Sequence, residues 1–193
     1  MPLRLCVGLL VNAVRWLLIL GWIGGPLSLA QAQAVNDTAV KAVFLLRFGS
    51  FVDWPPSAFE RPDSSLVICI AGDTALAETV RRAARGERAG ARTITTRWIE
   101  SAPPRTGCHI LFAGGAEGQD VAESLHDVSG SAVLTVTDAR NGNARGIIHF
   151  VISDRRVRFH INRSEAEQNG LRIDSRLLGI ALSVEDSSMR GSR

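Results

Sequence analysis

The chain has 193 residues, 22 basic against 19 acidic side chains and a net charge of +3. Nearly all the basic residues are scattered arginines, with Lys41 the only lysine, which excludes the basic stripe of a nucleic-acid binder. A chain of this length buries the core of one ordinary domain without needing a metal.

The first 32 residues read as an export signal. Arg4 and Arg15 precede an apolar, Trp-rich run over 16–23, then Gly24-Gly25-Pro26 and Ala30-Gln31-Ala32, the order of a charged region, an apolar region and an A-x-A cleavage site. The run after Arg15 falls short of the roughly 20 apolar residues of a bilayer span. Cleavage after Ala32 leaves residues 33–193 as a single domain, with 20 basic against 19 acidic residues once Arg4 and Arg15 are gone. Cys6 leaves with the signal, so Cys69 and Cys108 remain. Export to an oxidising compartment permits a disulfide worth about 3–4 kcal/mol. Spacing alone allows two buried thiols equally well.

In chain order, residues 38–52 place Val40, Phe44, Phe48 and Phe51 at helical spacing, with Val43 and Val52 widening the stripe. Asp53-Trp54-Pro55-Pro56 ends the helix, because proline disfavours the α conformation in the residue before it. Trp54 is then either a packing plug beneath the helix or an exposed partner anchor, and plug fits an aromatic at a helix end better. LVICIA over 66–71 reads as a strand covered on both faces. A helix follows with Asp73 or Thr74 as N-cap. A turn over 86–90 leads to an alternating strand over 92–98, and residues 101–107 form a loop.

CHILFA over 108–113 is another covered strand, followed by Gly114-Gly115 and a polar helix from Glu117 to His126. Residues 132–136 give a fourth strand, closed by Thr137-Asp138. The alternation predicts an α/β fold, a layered and mostly parallel sheet flanked by helices, with a C-terminal antiparallel hairpin. A two-residue turn at Asp154-Arg155 sets Ser153 against Arg156 and His149 against His160. One hairpin face then carries Ile148, Phe150, Ile152, Val157, Phe159 and Ile161. The other carries Ile147, His149, Val151, Arg156, Arg158, His160 and Asn162, and reads as a solvated polar face. Asn162 or Ser164 caps a short helix that Gly170 ends. Ile173, Leu177, Leu178, Ile180 and Ala181 mark a last amphipathic helix starting near Asp174 or Ser175, and the tail from 186 is loose.

Catalytic constellations do not emerge. The sequence has no G-x-S-x-G, no G-x-x-x-x-G-K-[ST] and no H-E-x-x-H, and Gly114-Gly115 with Gly118 lacks dinucleotide-loop spacing. The chain therefore reads as a non-enzyme without a cofactor. His109, His126, His149 and His160 fall on separate elements, so a metal site is not expected. His149 facing His160 beside Arg156 and Arg158 makes an anion-binding or pH-sensitive surface the functional alternative to a solvated face. Asp73, Gly114 and Asp138 follow strand carboxyl ends, where open α/β sheets hold small ligands and helix N-termini offer N–H groups.

The segments FLLRFGSFVDWP, LVICIAGD, CHILFAG, AVLTVTD and GIIHFVISDRRVRFHINRSEAEQNGLRIDSRLLGIA resemble, in order, the blocks of the YfiR family of exported bacterial proteins, over most of residues 38–184. The resemblance implies a periplasmic α/β domain, often dimeric. The best-known member restrains an inner-membrane diguanylate cyclase through the cyclase's periplasmic part and is relieved by an outer-membrane lipoprotein. Cys69 and Cys108 occupy the family's two strand cysteines, so the resemblance implies a disulfide between them. Asp154-Arg155 replaces the frequent Asp-Gly at the hairpin tip. The implied function is a regulator that lowers cyclic-di-GMP synthesis, with Trp54, Arg158, Arg172 and Arg176 as partner contacts, because an aromatic and arginines make good interface anchors. The alternative is a small-ligand-binding protein using the crevice at the strand carboxyl ends.

Overall fold

The computed structural model describes residues 27–100, 107–115 and 120–186, with side chains from 37 onward. Residues 1–26 of the expected export signal, most of the 101–107 loop, the start of the helix expected at Glu117 and the tail beyond 186 lie outside the described residues. The chain divides into two units, Met1–Asn36 and Asp37–Arg193, and the second carries every strand of the sheet.

Helix α1 (Leu27–Phe48) leads into β1 (Val52–Asp53) and a 3-10 turn at Pro56–Ala58. The body alternates β2 (Leu66–Ala71), α2 (Thr74–Ala83), β3 (Arg88–Ala89), β4 (Arg92–Ile99), β5 (Ile110–Ala113), α3 (Val121–Asp127) and β6 (Leu134–Asp138). The hairpin β7 (Ile148–Ser153) and β8 (Arg156–Asn162) follows, then α4 (Arg163–Gln168), β9 (Arg172–Ile173), α5 (Ser175–Leu178) and β10 (Ser183–Glu185). The main sheet has eight strands in the order β10-β8-β7-β6-β5-β2-β4-β3. It is parallel except at β7–β8 and β3–β4. The bare apolar runs fill its centre, where helices cover both faces: β5 and β6 are buried throughout. Short polar residues cap the helices that follow β2, β5 and β8. Asp73 accepts from Leu76 N at 2.8 Å, Asp120 from Glu123 N at 2.7 Å, and Asn162 from Glu165 N at 3.0 Å.

The hairpin register is as expected, with Ser153 opposite Arg156 and His149 opposite His160. Asp154 and Arg155 sit at φ 51° and 59°, both in the left-handed region that a primed two-residue turn requires. Its apolar face meets α1 in an aromatic cluster. Phe44 and Phe48 lie 5.3–6.0 Å from Phe150 and Phe159, centroid to centroid, and each such pair adds about 0.5–1.5 kcal/mol beyond burial. A smaller core, including Cys69, Leu111, Cys108, Val128 and Val133, holds the disulfide Cys69–Cys108 with Cα atoms 5.8 Å apart.

Four local expectations change. The buried line of α1 runs through Asp37, Lys41, Leu45 and Phe48, and Val43 points outward at 53% exposure. Lys41 joins the buried line because Asp138, at the end of β6, pairs with it. Ile152, near the hairpin tip, is exposed. The last helix is one turn: after Gly179, Leu182 N donates to Phe159 O at 2.8 Å and the chain becomes β10, parallel to β8. The unpaired backbone edge of β8 takes precedence over continuing the helix, so Ile180 and Leu182 stay exposed. Finally, His149 is not on a solvated face. It is 4% exposed, because the 146–147 segment folds back on that side, with Gly146 N and Ile147 N donating to Thr137 and Thr135 hydroxyls. A Cβ on Gly146 would stand 2.8 Å from Thr135 Oγ1, so only glycine allows this approach.

Candidate functional site

The strand pair β1–β9 gathers the site. Val52 pairs with Ile173 and Asp53 with Arg172, and Asp174 N donates to Phe51 O at 2.8 Å. A segment near residue 53 is thereby joined to one near residue 173, which brings the chain around Trp54 close to the chain around Arg172. The arginines are held by acidic neighbours yet face solvent. Arg172 Nε lies 3.6 Å from Asp53, and both are well exposed. The Arg176 guanidinium makes two bonds to Asp174, at 3.0 and 2.8 Å, and its Cζ lies 5.2 Å from the Phe51 ring centroid. These hydrogen bonds hold the Asp174 carboxyl down at about 2, so the pair stays ionised at any physiological pH.

Trp54 is a half-buried plug. It packs against the core, and its Nε1 donates to the backbone O of His109 at 3.3 Å. Beside it opens a cavity of about 550 Å³, lined by the turn after α1, Asp53, Trp54, Phe59, Arg61 and the β3–β4 turn up to Arg92. Its position at the starts of β2 and β4 places it at the amino edge of the parallel sheet, not at the carboxyl edge expected for a ligand. At the carboxyl edge the three expected contacts are engaged internally. Asp73 caps α2, Gly114 N donates to Ala71 O at 2.9 Å, and Asp138 pairs with Lys41.

The cavity wall rests on a histidine whose importance the sequence did not reveal. His109 precedes β5 and is 6% exposed. Its Nδ1 accepts from Val67 N at 3.1 Å, which fixes the proton on Nε2, 3.1 Å from Ala58 O. The Phe59 ring stacks on the imidazole at 4.3 Å, and the Arg92 guanidinium lies 3.5 Å from the Phe59 centroid. Burial pushes the imidazole below its ordinary pKa, the Ala58 bond opposes that shift, and the Arg92 charge adds to it. The only sequence signal is a polar residue inside an apolar run, which demands a partner when buried.

The remaining residues lie elsewhere. Arg158 is half-buried on β8 opposite Val151, in the eight-stranded sheet, whereas β1 and β9 form a sheet of their own. His149 Nδ1 and the Thr137 hydroxyl share a hydrogen bond at 2.8 Å, and the same hydroxyl accepts from Gly146 N at 3.0 Å. Burial lowers the His149 pKa, as do the Arg145 and His160 charges, against the pull of Asp138. His160 lies 2.6 Å from the Ser183 hydroxyl, Nδ1 to Oγ, so β10 covers part of the expected surface.

No curated protein matches the chain. Residues 38–182 match the YfiR/HmsC-like family, a span that takes in every block of the fold from α1 to the last turn before β10, and the chain belongs to that family.

Proposed function

We propose that this protein is a non-enzymatic periplasmic regulator that binds the periplasmic part of an inner-membrane diguanylate cyclase and lowers cyclic-di-GMP. Family membership supports a regulator of diguanylate cyclase signalling. The surface assignment is supported by the β1–β9 pairing, which joins Asp53, next to Trp54 in the chain, to Arg172, with Arg176 four residues further on. Exposed arginines beside a half-buried aromatic suit an acidic partner face. Export by the first 32 residues, relief by an outer-membrane lipoprotein and a homodimer belong to the same reading. Deleting the gene should raise cyclic-di-GMP, and restoring it should reverse the rise. Restoring Arg172→Glu with Arg176→Glu should not, although both residues are too exposed for the change to unfold the protein. Full reversal by the double variant would remove this surface from the proposal, and an unchanged level on deletion would remove the function.

The cavity of about 550 Å³ favours a second reading, a small-ligand-binding protein. It differs from the strand-end crevice in location, and it predicts a thermal shift with anionic or aromatic metabolites that is lost on replacing Arg92.

A further inference from the structure

Protonation of His109 has a stereochemical consequence beyond its charge. The neutral ring fits because its two nitrogens do opposite things: Nδ1 accepts from Val67 N, and Nε2 donates to Ala58 O. Imidazolium has no acceptor. A proton on Nδ1 would face the Val67 N–H, two donors at a 3.1 Å separation, and the ring must leave that bond. It cannot move alone, because Phe59 is stacked on it at 4.3 Å and Trp54 meets it edge-on at 6.4 Å, with the indole N–H on the His109 carbonyl. Phe59 and Trp54 both line the cavity.

We infer that His109 is the positioning residue of the Trp54 face, and that its protonation releases the Phe59–Trp54 wall and so makes the partner surface acid-sensitive. The proton comes from solvent and no other group changes. The surroundings oppose rather than absorb the new charge. Among the described residues the charged group whose field reaches His109 is Arg92, itself cationic, on the far side of Phe59. The neighbouring Cys69–Cys108 disulfide does not titrate, and Val67, Ala58 and Leu134 offer only backbone groups. The functional meaning rests on the proposed partner surface, but the conformational event does not.

The test is an NMR titration of the full ¹⁵N-labelled chain from about pH 8 to about pH 5, following the Trp54 indole N–H and the Val67 amide. In wild type both should move with one midpoint below 6.5, the ordinary value for histidine. Exchange of the Trp54 indole proton, corrected for its intrinsic pH dependence, should rise by up to about tenfold per pH unit below that midpoint. His149→Gln should leave this response intact, whereas His109→Gln should abolish it. A Trp54 signal that stays fixed while His109 titrates would overturn the inference, as would an equal response in the His109 variant. The wild-type titration decides the matter even if that variant does not fold. Since no partner enters this experiment, its outcome is separate from that of the arginine reversal.

Discussion

The Lys41–Asp138 pair is where a single substitution should show the most. Lys41 is 4% and Asp138 6% exposed, and the acceptor also caps the following turn, taking Arg140 N at 3.0 Å. Lys41→Met preserves the length and apolar stem of the side chain and removes its charge, leaving a buried carboxylate. Breaking a buried pair from one side costs about 3–5 kcal/mol. Arg140 Nε remains 3.7 Å from Asp138 and the same side chain reaches Asp37 at 3.7 Å, so the lower end, about 3 kcal/mol, is expected. For a domain of this size that is a fall of roughly 6–12 °C in Tm. Thermal and urea unfolding of the oxidised protein measure it. Lys41→Met with Asp138→Asn, which keeps the cap acceptor but removes the second charge, should recover at least half of the loss. A Lys41→Met protein within about 1 kcal/mol of wild type, or a double variant as unstable as the sum of the singles, would refute the reasoning.

Removing the disulfide should cost about 4 kcal/mol, the chain-entropy value for its 39-residue separation; Cys69→Ser with Cys108→Ser, compared with wild type in urea, checks this, and a loss below about 1 kcal/mol would contradict it. Arg155→Gly should stabilise by about 0.5–1 kcal/mol, because Arg155 holds φ 59° at a non-glycine residue. His109 and His149 both titrate below the ordinary 6.5 in the folded protein. The unfolded chain therefore takes up protons first as pH falls, so stability should be level above about 6.5 and should decline below it through the lowered folded values. Urea midpoints across that range should show the decline, and His149→Gln should reduce it.

The fold was legible where one residue pattern answered to one environment. LVICIA and ILFA are apolar throughout because both sheet faces are covered, and IHFVIS with RVRFHIN alternate because the hairpin presents two different faces. Register followed, since a slip of one residue would have put Phe150 and Phe159 on the wrong side. Ile180 and Ala181 misled for the same reason in reverse. Their spacing matches a helix, but the exposed edge of β8 offered backbone partners to the same segment, and spacing carries no information about an unfilled edge. Lys41 was invisible as a core residue because its place in α1 depends on Asp138, 97 positions away.

The site was legible only as a set of residue types. Trp54, Arg172 and Arg176 are candidate anchors by residue type, and the chain around Trp54 meets Arg172 through a two-residue strand pairing, β1 with β9, too short to leave a periodic signal. Arg158 has the same chemistry but lies on β8 of the main sheet, whereas β1 and β9 form a sheet of their own. His109 and His149 show the complementary failure. On a pattern count each is a polar residue in an apolar run or on a polar face, yet each is buried with its Nδ1 in a hydrogen bond, accepted from Val67 N in one case and shared with the Thr137 hydroxyl in the other. A neutral imidazole can be buried when its nitrogens have complementary partners, and for His109 those partners, Val67 N and Ala58 O, come from segments more than forty residues away in the chain. The same condition that hides such a histidine from sequence makes it sensitive to acid, because the proton it gains removes the acceptor by which the fold accommodated it.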